Sequence, residues 1–456
     1  MRLIYKVSLL LLFITGGTQI FAQSNQVADI IELGALKAIW ENAGGASWTT
    51  KTNWPTTGNW PASATATEMD AWYGIVVVNG DITQVILNAN NLNGRLPDQL
   101  GDLKELKLLS VFDNNLSGQI PARLGECTKV LQLLLYGNKF SGSIPESFRY
   151  LTSMSTLYLH TNLLSGVIPS TFSSLTNLVH LDLHGNELTG PVPSIFSSMT
   201  QLYTLNLSYN RLTGSLPALR GSAISLSNNM LSGELTVVSG SAVYTLDASN
   251  NKFTSVGNSL ASPPILQVLN MMYNELVSIS PWLLTKANRG ILQVLFAANR
   301  LDFATLEPYT TAGFNPASAY VGQYEIVEVT QKAITFGSPF TLTARPLGTY
   351  TSITWEKQNS SGTWVLLTND EDAVARTYTR NSSTAADEGT YRWKTTSTKF
   401  STAAIVSGPI QVKSSIQLAL DNWGFQYKYD SRKRMTQKKV PGADWVYLVY
   451  DDRDRL

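Results

Sequence analysis

Between Ile82 and Leu202 apolar and polar positions fall in one pattern, L-x-x-L-x-L-x-x-N-x-L-x-G-x-(I/L/V)-P, which restarts at a constant interval at Ile82, Leu106, Val130, Met154, Leu178 and Leu202. The L-x-L segment has a period of two, so it predicts a short strand with both leucines turned inward. The asparagine that follows (Asn90, Asn114, Asn138, Asn162, Asn186, Asn210) recurs at one depth. A buried amide needs partners, and stacked asparagines can bond the backbone at the turn of the adjacent unit. Glycine and then Ile-Pro take the chain out of the strand, because proline has no N–H for the ladder. The second half of a unit, such as Glu146 to Leu151, reads as a short helix or helical turn on the opposite side. A fixed period of this kind marks a solenoid, whose units bury their apolar faces only against their neighbours. Four less regular units follow, marked by Asn229, Asn251, Asn274 and Asn299, which makes ten.

The flanks carry other patterns. Ile31 to Ala43 predicts an amphipathic helix, followed by a tryptophan-rich loop ending in Trp72-Tyr73-Gly74. After Pro316 the texture becomes alternating and β-like, with Phe340 to Ala344, Trp355, and Asp387-Glu-Gly-Thr-Tyr391-Arg-Trp393. Near the end, Tyr429-Asp-Ser-Arg432-Lys-Arg434-Met435 is echoed position by position in Tyr450-Asp-Asp-Arg453-Asp-Arg455-Leu456.

The repeat resembles the leucine-rich repeat, and its N-x-L-(S/T)-G-x-I-P segment looks like the subtype of plant receptor-like proteins. The resemblance implies an α/β solenoid, a leucine-rich-repeat horseshoe of about ten repeats over 82–315, behind an amino-terminal cap over 23–81. This cap lacks the cysteine pairs of the plant pattern. Burial of Trp48, Trp54 and Trp60 is expected to replace them, and the departure suggests a bacterial homologue. Residues 316–415 resemble an all-β immunoglobulin-like sandwich, with Trp355 as the central core tryptophan and Asp387-x-Gly389-x-Tyr391 as a tyrosine corner. Ala344 and Trp393 stand where the inter-sheet disulfide would be, a small-to-large pair able to fill the same volume. Residues 416–456 resemble the start of the YD repeats of RHS proteins, a short β-rich tail. Two such repeats cannot close a shell, so the chain reads as the amino-terminal piece of something longer.

Composition narrows the class. Lysine and arginine number 34 against 33 acidic residues, so no global field points to nucleic acid or anionic lipid. Residues 1–22 resemble a signal peptide, with Arg2 and Lys6, an apolar stretch from Val7 to Ile14, and Ala22 before the cut. No later segment is long and apolar enough to span a bilayer. The expected location is therefore outside the cell, secreted or on the outer surface. The one cysteine, Cys127, occupies a position that is apolar in other units, and reads as a small core hydrophobe.

Candidate chemistry lies on the concave surface. The column after the second strand leucine reads Asn88, Phe112, Tyr136, His160, His184, Ser208, and the column between the leucines reads Ile86, Ser110, Leu134, Tyr158, Asp182, Asn206. With strands about 4.8 Å apart, these make a continuous patch on the third to sixth units, and His180 falls with it. Phe112, Tyr136, Tyr158, His160, His180, Asp182, His184 and Asn206 are the expected ligand-binding residues for a peptide, protein or glycan. A solvent-facing surface with incidental aromatics fits the same columns equally well. A metal site on the histidines and Asp182 is the weaker reading, because a flat sheet seldom closes a coordination shell. No nucleophile elbow, phosphate loop or H-E-x-x-H occurs, so no enzyme and no cofactor is expected. Three functions remain in view: an exported binding or adhesion protein, the targeting end of an RHS-type toxin-delivery protein, and a structural surface protein.

Overall fold

The computed structural model describes residues 30–56, 59–261, 266–280, 293–306, 323, 331–344, 351–367, 376–397, 404–415, 417, 426–429, 435–439 and 445–447. Residues 1–22, which resemble a signal peptide, lie outside them, as do 430–434 and the second tyrosine-led echo, 450–456.

The L-x-L segments form one parallel sheet. Its ten parallel strands run from Asp81–Ile86 through Leu108–Ser110, Gln132–Leu134, Thr156–Tyr158, His180–Asp182 and Thr204–Asn206 to Gln293–Leu295. The cap strand Ile75–Val78 closes the first edge antiparallel. Register is strict, with Leu133, Leu157, Leu181 and Leu205 facing one another down the sheet and fully buried. Each leucine thus has a layer on both sides, which is why a unit cannot fold without neighbours.

The N-x-L-(S/T)-G segment does not simply leave the strand. It makes a second parallel sheet of eight strands, among them Asn115–Gly118, Lys139–Gly142, Leu163–Gly166 and Glu187–Gly190. The proline that follows opens a 3-10 helix in the first five units, such as Glu146–Tyr150, whose central Phe148 is buried, but Pro217 in the sixth does not.

The recurrent asparagines form a ladder between the sheets. Asn138 is typical: its amide donates to Leu135 O at 3.2 Å, Tyr136 O at 3.1 Å and Val111 O of the preceding unit at 3.0 Å. Its Oδ1 accepts the Leu116 N–H at 3.0 Å. Asn114, Asn162, Asn186 and Asn210 repeat this set. Asn90, at the start, instead closes on the cap through Thr50 N and Thr50 O. The ladder runs on past Asn299 to Gln323, which takes Leu301 N–H at 3.0 Å and donates to Phe296 O at 3.1 Å.

The residue before each rung is left-handed, with φ of 53° at Asp113, 64° at Gly137, 56° at Thr161, 63° at Gly185 and 53° at Tyr209. This lets the strand end turn inward and deliver the asparagine.

The cap helix Ile30–Asn42 buries Leu33, Leu36 and Ile39 on one face and leaves Lys37 and Glu41 exposed. Its buried Glu32 carboxylate accepts the Ile82 N–H, tying the helix to the first strand. Trp40, Trp48, Trp54 and Trp72 are buried with centroids 4.9–5.9 Å apart along the chain of contacts. Trp60 closes the cluster but is only half-buried, and its indole N–H has no partner among the described residues. Cys127 is buried, its thiol on Leu100 O at 3.1 Å.

Downstream, the strands Thr351–Gln358, Gly389–Ser397 and Ile410–Ser414 lie side by side in one sheet, with Gln331–Ile334 parallel to the last. Phe340–Thr343 and Thr377–Arg380 pair separately. Trp355 and Trp393 are opposite each other in register; both are buried, and so are Ala344 and Tyr391. The Tyr391 hydroxyl donates to Asp387 O at 2.8 Å. Asp387 takes Thr384 N–H and Arg380 Nε, which keep its carboxyl below the usual range despite burial. Strands 426–429, 435–439 and 445–447 form an antiparallel sheet of three.

Candidate functional site

On the long sheet, the residue between the two inward leucines and the residue just after the second form columns on the solvent face. From the second to the fifth parallel strand the outer column is a single ring stack. Phe112 and Tyr136 lie 4.5 Å apart at 7°, Tyr136 and His160 4.3 Å at 17°, His160 and His184 4.4 Å at 13°. The spacing follows the strand spacing, so the sheet itself stacks the rings. Tyr158, from the neighbouring column, stands out of the stack at 65° to Tyr136 and 54° to His160. All five rings are half-buried.

At the far end Asp182 organises polar contacts. Its Oδ1 accepts His184 N–H at 3.0 Å and meets His184 Nδ1 at 2.7 Å, while Asn206 Nδ2 reaches its other oxygen at 3.2 Å. A carboxylate can only accept, so in the neutral ring the proton sits on Nδ1 and Nε2 is left as an acceptor. His180 shares the face but not the stack: its Nδ1 meets Thr204 Oγ1 at 3.2 Å, and its ring lies edge-on to Tyr203.

Burial lowers the affinity of His160 and His180 for a proton, with Asp182 opposing it at His160 and His184 adding to it. Burial also raises the phenol pKa of Tyr136 and Tyr158. The neighbouring hydroxyl, Ser208, donates to Asn206 Oδ1 at 2.7 Å rather than to an imidazole. Among the described residues no three His, Cys, Asp or Glu side chains are placed to hold a metal ion.

Several exposed aromatics escaped the column reading. Tyr203 and Tyr244 precede their strands, and Tyr209 and Tyr273 follow theirs in the left-handed position. A bulky residue at positive φ is uncommon, and aromatic residues in a slot otherwise held by Gly, Asn, Asp, Thr or Ala were a readable signal.

The family profile of the leucine rich repeat matches residues 128–188 and 152–212. The chain therefore contains leucine-rich repeats, in a solenoid with a parallel sheet of many strands. No curated protein matches its sequence. Among solved structures it is similar to a plant ice-binding protein, at 26% identity and a TM-score of 0.53, over 65% of this chain and 95% of that one. It is also similar to the leucine-rich-repeat ectodomain of the plant membrane receptor kinase GASSHO1/SCHENGEN3 from Arabidopsis thaliana, crystallised in complex with CASPARIAN STRIP INTEGRITY FACTOR 2. There the identity is 29%, the TM-score 0.46, and the match spans 53% of this chain but only 29% of that one. A third is the plant peptide hormone receptor RGFR1 in complex with RGF2, at 30% identity and a TM-score of 0.41, over 47% and 36% of the two chains. Among the described residues no helix is long and apolar enough to cross a membrane.

Proposed function

We propose that the chain is a non-enzymatic, exported binding module that takes a polypeptide or glycan ligand on the solvent face of its long sheet. The observation that carries this is the ring stack from Phe112 to His184 with Tyr158 beside it. Rigid aromatics collected on neighbouring strands give large contact area at small entropic cost, as binding surfaces require. The downstream sheets read as an immunoglobulin-like spacer, supported by the strand order and the Tyr391 corner. The tail reads as the start of YD repeats, supported by the tyrosine-led echo in the sequence. A bacterial origin rests on the cap without cysteine pairs.

The test is a peptide and glycan array probed with the full chain and with a variant carrying Tyr136→Ala, Tyr158→Ala and His184→Ala. Loss of the array signal in the folded variant supports the site; an unaltered signal removes it.

The ice-binding relative suggests a second reading. The second sheet carries a hydroxyl on each of seven adjacent strands, including Ser117, Ser141, Ser165, Thr189 and Thr213. Against it, the hydroxyls of Ser117, Thr189 and Thr254 bond to Gly94, Gly166 and Gly233 carbonyls of the preceding strands. The adjacent column is uneven, with Lys139, Leu163, Glu187 and Arg211. Ice-growth inhibition that disappears on Thr213→Lys would favour this second surface.

A further inference from the structure

We infer that the ligand read by this face is a basic polypeptide segment, whose lysine or arginine side chains meet the acceptors along the ring stack. The inference rests on the binding reading above and narrows it to one chemistry.

The stack offers a sugar little platform. A sugar ring packs on an aromatic face, and between Phe112 and His184 the facing rings cover one another at 4.3–4.5 Å, which leaves within the stack only the outer faces of its two end rings. The polar atoms of the stack are the Tyr136 hydroxyl and the imidazole nitrogens of His160 and His184, with His160 Nδ1 against Thr161 Oγ1 and His184 Nδ1 against Asp182. A phenol oxygen and a ring nitrogen without a proton each accept from an ammonium or a guanidinium.

Charge points the same way. The four residue columns that begin at Gln84, Ile86, Asn88 and Ala89 hold Asp113, Asp182 and Asp247 over ten strands, and no lysine or arginine. Two of these acids lie at the stack. Asp182 holds His184, and Asp113 lies at the Phe112–Tyr136 end, where its Oδ1 stands against the space a Cβ on Gly137 would take. Asp113 is exposed, and its carboxylate makes no hydrogen bond or ion pair among the described residues. Elsewhere on the solenoid surface the carboxylates of Asp102, Glu105, Glu126, Glu187 and Glu275 have basic partners. A free carboxylate beside aromatic rings is a setting for a cation: Asp113 lies at the Phe112 end, where the stack leaves one ring face uncovered, and Tyr158 stands outside the stack. The stack spans about 13 Å, the reach of roughly four extended residues, so a short segment suffices.

The experiment is calorimetric titration of the full chain with three sets of octapeptides, arginine- and lysine-rich, glutamate-rich, and uncharged, beside a neutral hexasaccharide. The basic set should bind at least about tenfold more tightly than the others and weaken about fivefold as salt rises from roughly 50 to 300 mM. Asp113→Asn keeps a residue that tolerates positive φ and should lower that affinity about fivefold, with circular dichroism unchanged. Equal or better binding of acidic or uncharged peptides overturns the charge inference, and so does binding of the hexasaccharide alone. In either case the surface reading survives if the triple Ala variant abolishes the signal. Basic-peptide binding that is indifferent to both Asp113→Asn and the triple variant overturns both.

Discussion

Removing one rung of the asparagine ladder tests the physical account of the solenoid. Asn162 is 6% exposed, and its amide donates to Leu135 O, Leu159 O and His160 O while Oδ1 takes the Phe140 N–H at 3.0 Å. In Asn162→Ala the three carbonyls each keep another donor: Asn138 Nδ2, Asn186 Nδ2 and Gly137 N respectively. The Phe140 N–H keeps none. The cost is therefore one orphaned buried donor, about 1–3 kcal/mol, with about 1 kcal/mol more for the small void. Asn162→Asp fills the void and can still accept from Phe140, yet it aims a second oxygen at three carbonyl oxygens. It should be worse than Ala at neutral pH. Burial and those carbonyls raise the folded-state pKa of the new carboxyl above its unfolded value, so the folded state takes the proton first as pH falls. The Asp variant should then regain stability towards pH 5 while the Ala variant does not. Because solenoid units can open separately, native-state exchange at the Phe140 amide is the local readout, with urea melts for the whole chain. An Ala variant that loses less than about 0.5 kcal/mol, or an Asp variant no worse than Ala at neutral pH, would refute the ladder accounting.

Gln323→Ala should speed exchange of the Leu301 amide by about tenfold or more and leave Phe140 unaffected, as expected for the last rung. Trp54→Leu should cost about 3 kcal/mol in urea melts, since that ring packs on four other tryptophans and bonds Tyr73 O; a loss under about 1 kcal/mol would count against the cap account. For His160 and His180 the folded pKa lies below the unfolded one, so the unfolded chain binds more protons as pH falls through about 6.5. Stability should drop on going from pH 7.5 to 5.5, and by less in His160→Gln; equal drops would remove the burial argument at His160. Burial pushes the Cys127 thiol up to about 12, so alkylation at pH 8 should be far slower in the folded chain than in urea, and comparable rates would show the thiol is accessible.

The main architecture was legible because a repeat states its own register. Once Leu133, Leu157 and Leu181 recur at one spacing, only one stacking keeps every leucine on the core side. The second sheet was not legible. Its strands are short and contain glycine, for example Leu163-Leu-Ser-Gly166, and a period-two signal hardly shows over so short a run. The rung at Gln323 was hidden for a different reason. It stands one full repeat beyond Asn299, but glutamine breaks the run of asparagines while carrying the same amide on a longer stem.

The candidate site was half legible, and the missing half is the informative one. Columns located Phe112, Tyr136, His160 and His184 on adjacent strands, since register alone fixes position. They could not say that the rings would stack face to face, because that depends on side-chain torsions set by what flanks each ring. Along the stack the flanking slot holds Asp113, Gly137, Thr161 and Gly185, none of them aromatic. In the next units the same slot holds Tyr209 and then Asn228, while the stacking column turns to Ser208 and Ser227. Nor could the columns separate acids with local work from acids without it. Asp182 and Asp247 both accept from the backbone N–H two residues on, a local turn that holds the strand end. The carboxylate of Asp113, which stands further along its own unit, accepts nothing among the described residues. The columns held Asp182 and passed over Asp113, whereas the folded chain puts both at the aromatic stack and leaves Asp113, among the described residues, unpaired at its open end. That difference, rather than the number of aromatics, is what turns a solvent-facing strand surface into a site with a preferred sign of charge.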